Sequence, residues 1–461
     1  MKKSILNYSG FIVGPIISAG INFLTIPIIT RFVGPSEFGK TAIFSILQTL
    51  GIAIVYLGLD HAFVREFNDE DDKEKLFTNC VLAPSFFTFL LCIICSTYFF
   101  LFEKSLYSVS LFYFSLFLLL SPLERFILLS YRMEEDSKRF AFFSVLIKVI
   151  VMLTTIFLLI ILEKNYYTII LGTALGQVIS DVIIILFSVK HIKFNFSKID
   201  KTFFEKLLKY GIPFVPAAII LWMLSSTDRI LLKRFGTLDE LGVYLVAMKV
   251  VAILAIFQNI FITIWVPTAF KWKKNNKSNE IFPIISEILT FCMSLVFISI
   301  LLFKVPIVWI LSNEYKDVIY IVPFLLFYPI MYTLSETTGI GIAFSRKTKY
   351  NLYVSLSVMI INIISCTLII PKYGAIGASI AIAISYISYF FIKTLVSRNV
   401  WFKFKLTYYL YVVFYLIIVA TINIVIEQRY SVLVNLLFLL VFVGSQLKKF
   451  KYWKNKILLH L

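Results

Sequence analysis

The stretch RFVGPSEFG occupies residues 31–39 and returns as RFGTLDELG at residues 234–242, with Arg, Phe, Glu and Gly matched at a constant offset of 203 residues. Each copy follows an apolar run long enough to cross a bilayer, 9–31 before the first and 211–232 before the second. Both therefore read as the same corner of two related halves. How the halves are oriented depends on the number of crossings between them.

Apolar windows bounded by charge or turn residues fall near 9–31, 39–60, 77–102, 107–130, 140–162, 166–189, 211–232, 240–266, 281–303, 319–344, 351–370, 374–396, 406–426 and 431–447. Each approaches the roughly 20 residues that span hydrocarbon as a helix. Six crossings separate the two copies, an even number, so the halves run in the same direction as parallel repeats. The expected fold is an all-α polytopic membrane protein of about 14 transmembrane helices. It comprises two pseudo-symmetric six-helix bundles, residues 1–190 and 211–400, joined by a cytoplasmic amphipathic linker at 191–210. Two extra transmembrane helices and a basic cytoplasmic tail follow at 401–461.

Composition points the same way. Of 461 residues, 60% are hydrophobic and 15% charged, and the mean hydropathy is +0.90. Soluble domains carry roughly 25% charged residues. This excludes a soluble enzyme, a secreted disulfide scaffold and a DNA-binding protein. The five cysteines, Cys80, Cys92, Cys95, Cys292 and Cys366, lie in or beside apolar segments and read as packing residues, with no disulfide expected. With three histidines in the chain, no metal site is expected, and no cofactor. The opening Met-Lys-Lys and its long apolar run read as a first helix, not a signal peptide.

The net charge of +18 is unevenly placed. Segments on the side of the termini hold 29 Lys and Arg, in clusters such as Lys271–Lys277 and Lys448–Lys456, and the opposite segments hold eight. By the positive-inside rule the rich side, and both termini, are cytoplasmic. The basic balance reads as topology and attraction to anionic membrane lipids, not nucleic-acid binding. The tail, with Tyr452 and Trp453, reads as an interfacial anchor. The linker carries Phe194, Phe196, Ile199, Phe203, Phe204, Leu207 and Leu208 among lysines, which suits a helix lying on the inner surface.

Ionisable residues inside crossings are costly, and by default face a cavity or one another. Here they are Asp60, Glu124, Arg125, Lys148, Asp181, Asp228, Arg229, Lys249, Glu287, Glu336 and Lys393. Lys393 is close enough to a helix end to snorkel. Asp228 with Arg229, or Glu124 with Lys148, can lock helices together; a polar path for a charged substrate accounts for the set as a whole. Pro15, Pro27, Pro213 and Pro216 sit in or beside the first helix of each bundle, where they permit a kink.

These residues have a family look. RFVGPSEFG at 31–39, the Gly58-Leu-Asp60-x4-Arg65 turn, Ser226-Thr-Asp228-Arg229 followed by Gly242-Val-Tyr244, Gly339-Ile-Gly-Ile before Lys347, and Ile370-Pro-Lys-Tyr373-Gly-Ala-Ile-Gly377 occur in order over residues 5–400. Together they resemble the bacterial polysaccharide-biosynthesis flippase family of O-antigen and capsule repeat-unit transporters, within the multidrug/oligosaccharidyl-lipid/polysaccharide exporter superfamily. The resemblance implies a V-shaped pair of bundles in the bacterial cytoplasmic (inner) membrane. Working by alternating access, they would carry an undecaprenyl-diphosphate-linked oligosaccharide to the outer leaflet. It also implies a basic cavity for the diphosphate, and a polysaccharide polymerase and chain-length regulator as partners. Asp60, Arg65, Asp228 and Arg229 fall on the family's motifs. Depth and charge add Arg125, Lys148 and Lys249 to Arg65 and Arg229 as diphosphate ligands. Asp60, Asp181, Asp228 and Glu336 are candidates for ion coupling or gating, and Gln177, Asn259 and Asn362 for sugar contacts.

Two other functional classes fit the sequence less well. Drug or cation antiport on the same fold is disfavoured by the excess of intramembrane cations. A polytopic glycosyltransferase or polysaccharide polymerase is disfavoured because no outer loop exceeds about fifteen residues on these spans. There is also no Gly-rich nucleotide loop and no catalytic grouping. Glu134-Glu135-Asp136 reads as a solvated turn.

Overall fold

The computed structural model describes residues 2–102, 105–189, 194–275, 278–347 and 349–460. Of the basic residues counted above, Lys104, Lys190, Lys193 and Lys277 lie outside the described residues, as do the side chains of Lys2, Lys3, Lys448, Lys451 and Lys454; so does the side chain of the sugar-contact candidate Asn259.

Among the described residues the chain is helical throughout. The first stretch is α1 (Lys2–Phe32), α2 (Pro35–Val55), α3 (Leu59–Glu66), α4 (Lys73–Leu101), α5 (Leu106–Leu118), α6 (Ser121–Met133), α7 (Ser137–Ile161) and α8 (Tyr166–Ser188). A 3₁₀ turn at Phe196–Lys198 leads to α9 (Lys201–Gly211), α10 (Phe214–Phe235), α11 (Leu238–Lys274), α12 (Ile281–Leu302) and α13 (Lys304–Ile310). Then come α14 (Val318–Leu325), α15 (Phe327–Thr338), α16 (Ile340–Phe344), α17 (Lys349–Val400), α18 (Thr407–Val425) and α19 (Gln428–His460). Twelve described helical segments are long and apolar enough to cross a membrane. Of these, α17 counts as one although its backbone breaks at Gly374 (φ 52°, ψ −129°). The Asn362 side-chain amide on one arm of α17 donates to Ser385 Oγ on the other at 3.1 Å, so the arms lie side by side as a hairpin.

The chain divides into two compact units, Met1–Ser226 and Thr227–Leu461. In the first unit α7 and α8 are tightly apposed. A Cβ on Gly172 or Gly176 of α8 would fall 2.6–2.7 Å from the Cα of Thr155 or Val151 on α7. Small residues allow this approach where lipid offers no hydrophobic drive between helices. Thr154 Oγ1 adds a hydrogen bond to the Gly172 carbonyl at 3.0 Å.

The turn between α2 and α3 is left-handed at both Leu57 (φ 51°) and Gly58 (φ 70°). It meets Gly211, at the end of α9, backbone to backbone: a Cβ on Gly211 would lie 2.8 Å from the Gly58 carbonyl group and the Leu57 oxygen. Around that contact α9 buries Phe203 and Leu207 in a core with Leu59, Phe63, Phe67, Leu76 and Phe77. The linker helix thus packs Phe203 and Leu207 against α3 and α4, while Phe196 and Ile199 ahead of it stay exposed. Polar contacts complete the attachment. Lys75 pairs with Asp200 at 2.7 Å, Lys198 with Asp72 and Glu74 at 2.9 and 2.8 Å, and Lys206 with Glu66 at 2.5 Å. The Asn79 side chain donates to the Lys198 carbonyl at 3.0 Å and accepts from the Asp200 amide at 3.1 Å.

In the second unit the tail continues α19, and it docks on protein where an interfacial anchor was expected. Trp453 is 3% exposed, and its indole Nε1 and Lys449 Nζ each reach Glu287 Oε2 of α12 at 2.9 Å. A carboxylate inside a crossing needs such partners, and the tail supplies them. At the opposite end of the same helices Lys304, 2% exposed, donates to the Asn423 carbonyl at 2.7 Å. Asn423 and Asn435 exchange side-chain hydrogen bonds, and Asn435 also donates to the Leu301 carbonyl.

The repeated nine-residue stretches perform related tasks in their units. Glu37, in the first turn of α2, accepts the amide of Tyr166, the first residue of α8, at 2.9 Å. Glu240, in the first turn of α11, caps its own helix through a reciprocal box with Thr237, and its carboxylate lies against Gly374, where the second arm of α17 begins. In both units a carboxylate stands at the start of a later crossing, where free amides and the helix dipole favour negative charge.

Candidate functional site

In the first unit four helices bring together most of the charges expected to act. Asp60, in the first turn of α3, accepts a hydrogen bond from Arg125 Nη2 of α6 at 3.1 Å. The Arg125 guanidinium also lies 5.8 Å from the Tyr56 ring. Glu124, the neighbour of Arg125, is in electrostatic contact with both Arg125 and Lys148 of α7, and Asp181 of α8 with Glu124. Asp181 is fully buried. One of its oxygens accepts from Gln177 Nε2 at 2.8 Å; the other has no hydrogen-bond partner among the described residues. Thus Asp60, Arg125, Lys148 and Asp181, far apart in sequence, gather around Glu124, which faces the cations of Arg125 and Lys148 on one hand and a second carboxyl, Asp181, on the other.

Arg65 stands apart from that chain. It occupies the last turn of α3, with its guanidinium 4.4 Å from the ring of Tyr210 on α9 and 3.8 Å from Glu66. Nearby, His61 stacks on Phe214 with centroids 4.5 Å apart. This end of α3 faces the linker.

The second unit holds a separate group. Asp228 is fully buried on α10, accepts a hydrogen bond from Tyr244 of α11, and is in electrostatic contact with Arg229. Lys249 lies five residues beyond Tyr244 and is exposed. Glu336 of α15 and Lys393 of α17 form an ion pair at 2.7 Å. Lys393 is therefore buried and paired, and does not snorkel as its place near a helix end suggested; the buried carboxylate holds it inside. Tyr328 is in electrostatic contact with Arg229 and Tyr386 with Asp228, so tyrosines of α15 and α17 connect the two charged groups.

Two expected sugar contacts are engaged within their own units. Gln177 serves Asp181, and Asn362 ties the arms of α17 together. The Asn259 side chain lies outside the described residues. The tyrosines were missed by sequence reasoning, although Tyr328/Tyr332 and Tyr386/Tyr389 recur at helical spacing, which places each pair on one face.

Outside the membrane, charges fasten the linker. Asp200 lies well below the usual carboxylate range because Lys75 bonds it, helped by the Thr202 hydroxyl and the Phe203 amide. Asp72 is lowered by Lys198 and the Lys75 amide, and Lys198 is raised by Glu74 and Asp72.

A family model described as polysaccharide biosynthesis protein matches residues 7–273. A curated relative, a probable low-salt glycan biosynthesis flippase of Haloferax volcanii, is 24% identical over 186 residues. The match spans 40% of this chain and 39% of that relative. A solved structure of the lipid II flippase MurJ, in an inward closed conformation, superposes with a TM-score of 0.71 at 14% identity, covering 95% of this chain and 98% of its own. A multidrug resistance MATE family transporter of the MOP superfamily, inward-facing, gives 0.59 at 14% identity over 83% and 94%. A MOP superfamily transporter from Pyrococcus furiosus gives 0.52 at 14% identity over 85% and 95%. These three likenesses establish the fold.

Proposed function

Because the chain belongs to the polysaccharide biosynthesis protein family, we propose that it is a flippase for undecaprenyl-diphosphate-linked oligosaccharide, an O-antigen or capsule repeat unit. It moves that lipid from the inner to the outer leaflet of the bacterial cytoplasmic membrane by alternating access, with both termini cytoplasmic. Residues 1–190 and 211–400 act as the two bundles, 191–210 as the linker and 401–461 as an appended helix pair. A polysaccharide polymerase and a chain-length regulator act with it.

The observation that carries this reading is Arg125. Its guanidinium is held by Asp60 at 3.1 Å, yet the side chain remains 46% exposed within an apolar crossing. An arginine so placed does not face lipid, where it costs several kcal/mol; it faces water or a substrate anion. Guanidinium groups bind phosphate oxygens in pairs and offset lost hydration. Arg125 is thus the first of the diphosphate ligands, with Arg65, Lys148, Arg229 and Lys249 as further cations. Asp60, Asp181, Asp228 and Glu336 serve gating or ion coupling. One charge moved through 100 mV supplies about 2.3 kcal/mol.

A deletion strain should lose surface glycan and accumulate the lipid-linked repeat unit on the inner leaflet. Arg125→Ala should reproduce this at wild-type protein level, and Arg125→Lys should restore part of the output. Normal glycan from the Ala variant would remove Arg125 from the mechanism, and normal glycan from the deletion strain would end the reading.

A further inference from the structure

Four tyrosines of the second unit form a strip between α15 and the second arm of α17. Tyr328 meets Tyr386 with ring centroids 4.6 Å apart, Tyr332 meets Tyr389 at 5.5 Å with planes 4° from parallel, and Tyr386 and Tyr389 are 6.2 Å apart. Tyr328, Tyr332 and Tyr389 are only partly buried. Tyr389 Oη lies 3.5 Å from Lys393 Nζ. At one end Lys393 Nζ stands 5.3–5.9 Å from the Tyr389 and Tyr332 rings and is neutralised by Glu336. At the other are Asp228 and Arg229.

Packing alone does not call for this composition. Phenylalanine would give the same ring contacts without placing hydroxyls inside a crossing, and partly exposed tyrosines offer both a ring face and a hydroxyl to a bound molecule. The residues of the strip run from Tyr328 to Glu336, eight positions or about 12 Å along the helix. Aromatic faces, phenolic hydroxyls and flanking charges of both signs are what a polyhydroxylated chain with apolar C–H faces and polar edges requires.

We propose that the Tyr328–Tyr332–Tyr386–Tyr389 strip is the carbohydrate subsite: it takes the oligosaccharide portion of the cargo, while the arginines take the diphosphate. The inference rests on the flippase reading. It assigns sugar recognition to the second unit and to faces and hydroxyls instead of amide side chains.

The test uses the full-length purified protein in nanodiscs and two probes: the oligosaccharide freed from the host's lipid-linked pool by mild acid, and farnesyl diphosphate, which carries no sugar. Tyr332→Ala and Tyr389→Ala should each weaken oligosaccharide binding at least about tenfold, which is roughly 1.4 kcal/mol, with farnesyl diphosphate binding unchanged. Tyr332→Phe keeps the stack and loses the hydroxyl, and should fall between wild type and Ala; it also controls for misfolding. The same variants are scored for surface glycan in the deletion strain. Loss of glycan on deletion, together with oligosaccharide binding by the Ala variants equal to wild type, overturns the subsite and leaves the flippase standing. Normal surface glycan in the deletion strain overturns the flippase reading and the subsite with it.

Discussion

The Glu336–Lys393 pair sets up a quantitative test of how this protein tolerates charge inside a crossing. At 2.7 Å, with side chains 18% and 9% exposed, the pair is screened little by solvent. At an effective dielectric of 20 the attraction is about 6 kcal/mol, most of it consumed by taking both ions out of water. Removing one partner leaves the other uncompensated, which costs about 3–5 kcal/mol. Glu336→Gln and Lys393→Met should therefore each destabilise by about that amount. The double variant, with no buried ion left, should be more stable than either single one. The resulting coupling should reach about 2–3 kcal/mol, the upper range for contacting residues. Equilibrium unfolding of the four proteins in mixed micelles measures it directly. Additive single effects, or single effects below about 0.5 kcal/mol as for surface changes, would refute the argument that this pair is buried and mutually dependent.

Other expectations follow from close backbone contacts and from the linker. Gly211→Ala places a Cβ against the backbone of Leu57 and Gly58, where no side chain can yield; a loss of about 1–3 kcal/mol should appear in thermal unfolding, and no loss would mean the turn and α9 are not in contact. Gly374→Ala faces both the Glu240 carboxylate and a φ of 52°, so adding Glu240→Ala should recover only part of the loss of melting temperature; full recovery would show that the backbone carries no strain. Docking of the linker should depend on pH at both extremes. Asp200 and Asp72 are lowered, so their contribution is present above the ordinary carboxylate range, near pH 4, and is lost as pH falls through their folded values. Lys198 is raised, so its contribution is complete below the ordinary lysine value, near pH 10.4, and is lost as pH rises beyond. Protection factors for amide exchange at residues 194–200, which divide out the intrinsic pH dependence, should be highest between those limits; factors that do not change with pH would show that these ion pairs do not hold the segment.

The helical membrane architecture was legible because hydropathy is a property of single segments and survives without knowledge of neighbours. The charged residues were legible as individuals for the same reason: Asp60, Arg125, Asp181 and Glu336 declare themselves by the cost of their setting. Their partners were not. Whether Lys393 reaches water or Glu336 depends on how α17 is rotated against α15, and nothing in the local sequence of either helix fixes that angle. The same holds for Trp453 and Lys449, which look like anchors until Glu287 on another helix is seen to need them. The reciprocal case is Gln177: a polar side chain available in sequence for substrate is already committed to Asp181, four residues away on its own helix. The tyrosine strip lay hidden because it is built by two helices, each contributing half.

The attachment of α9 bears on how the chain could be taken apart. A break introduced at residues 190–193 would leave α9 covalently joined to the C-terminal piece, while its apolar face and ion pairs belong to α3 and α4 in the N-terminal piece. Two separately expressed fragments cut there would share α9 as a strap, each supplying what the other lacks. They should co-purify without a tether. A cut placed after Gly211 would hand the strap wholly to the first fragment and leave the start of α10, with Phe214 stacked on His61, to join the pieces, so co-purification should be weaker there than after a cut at 190–193.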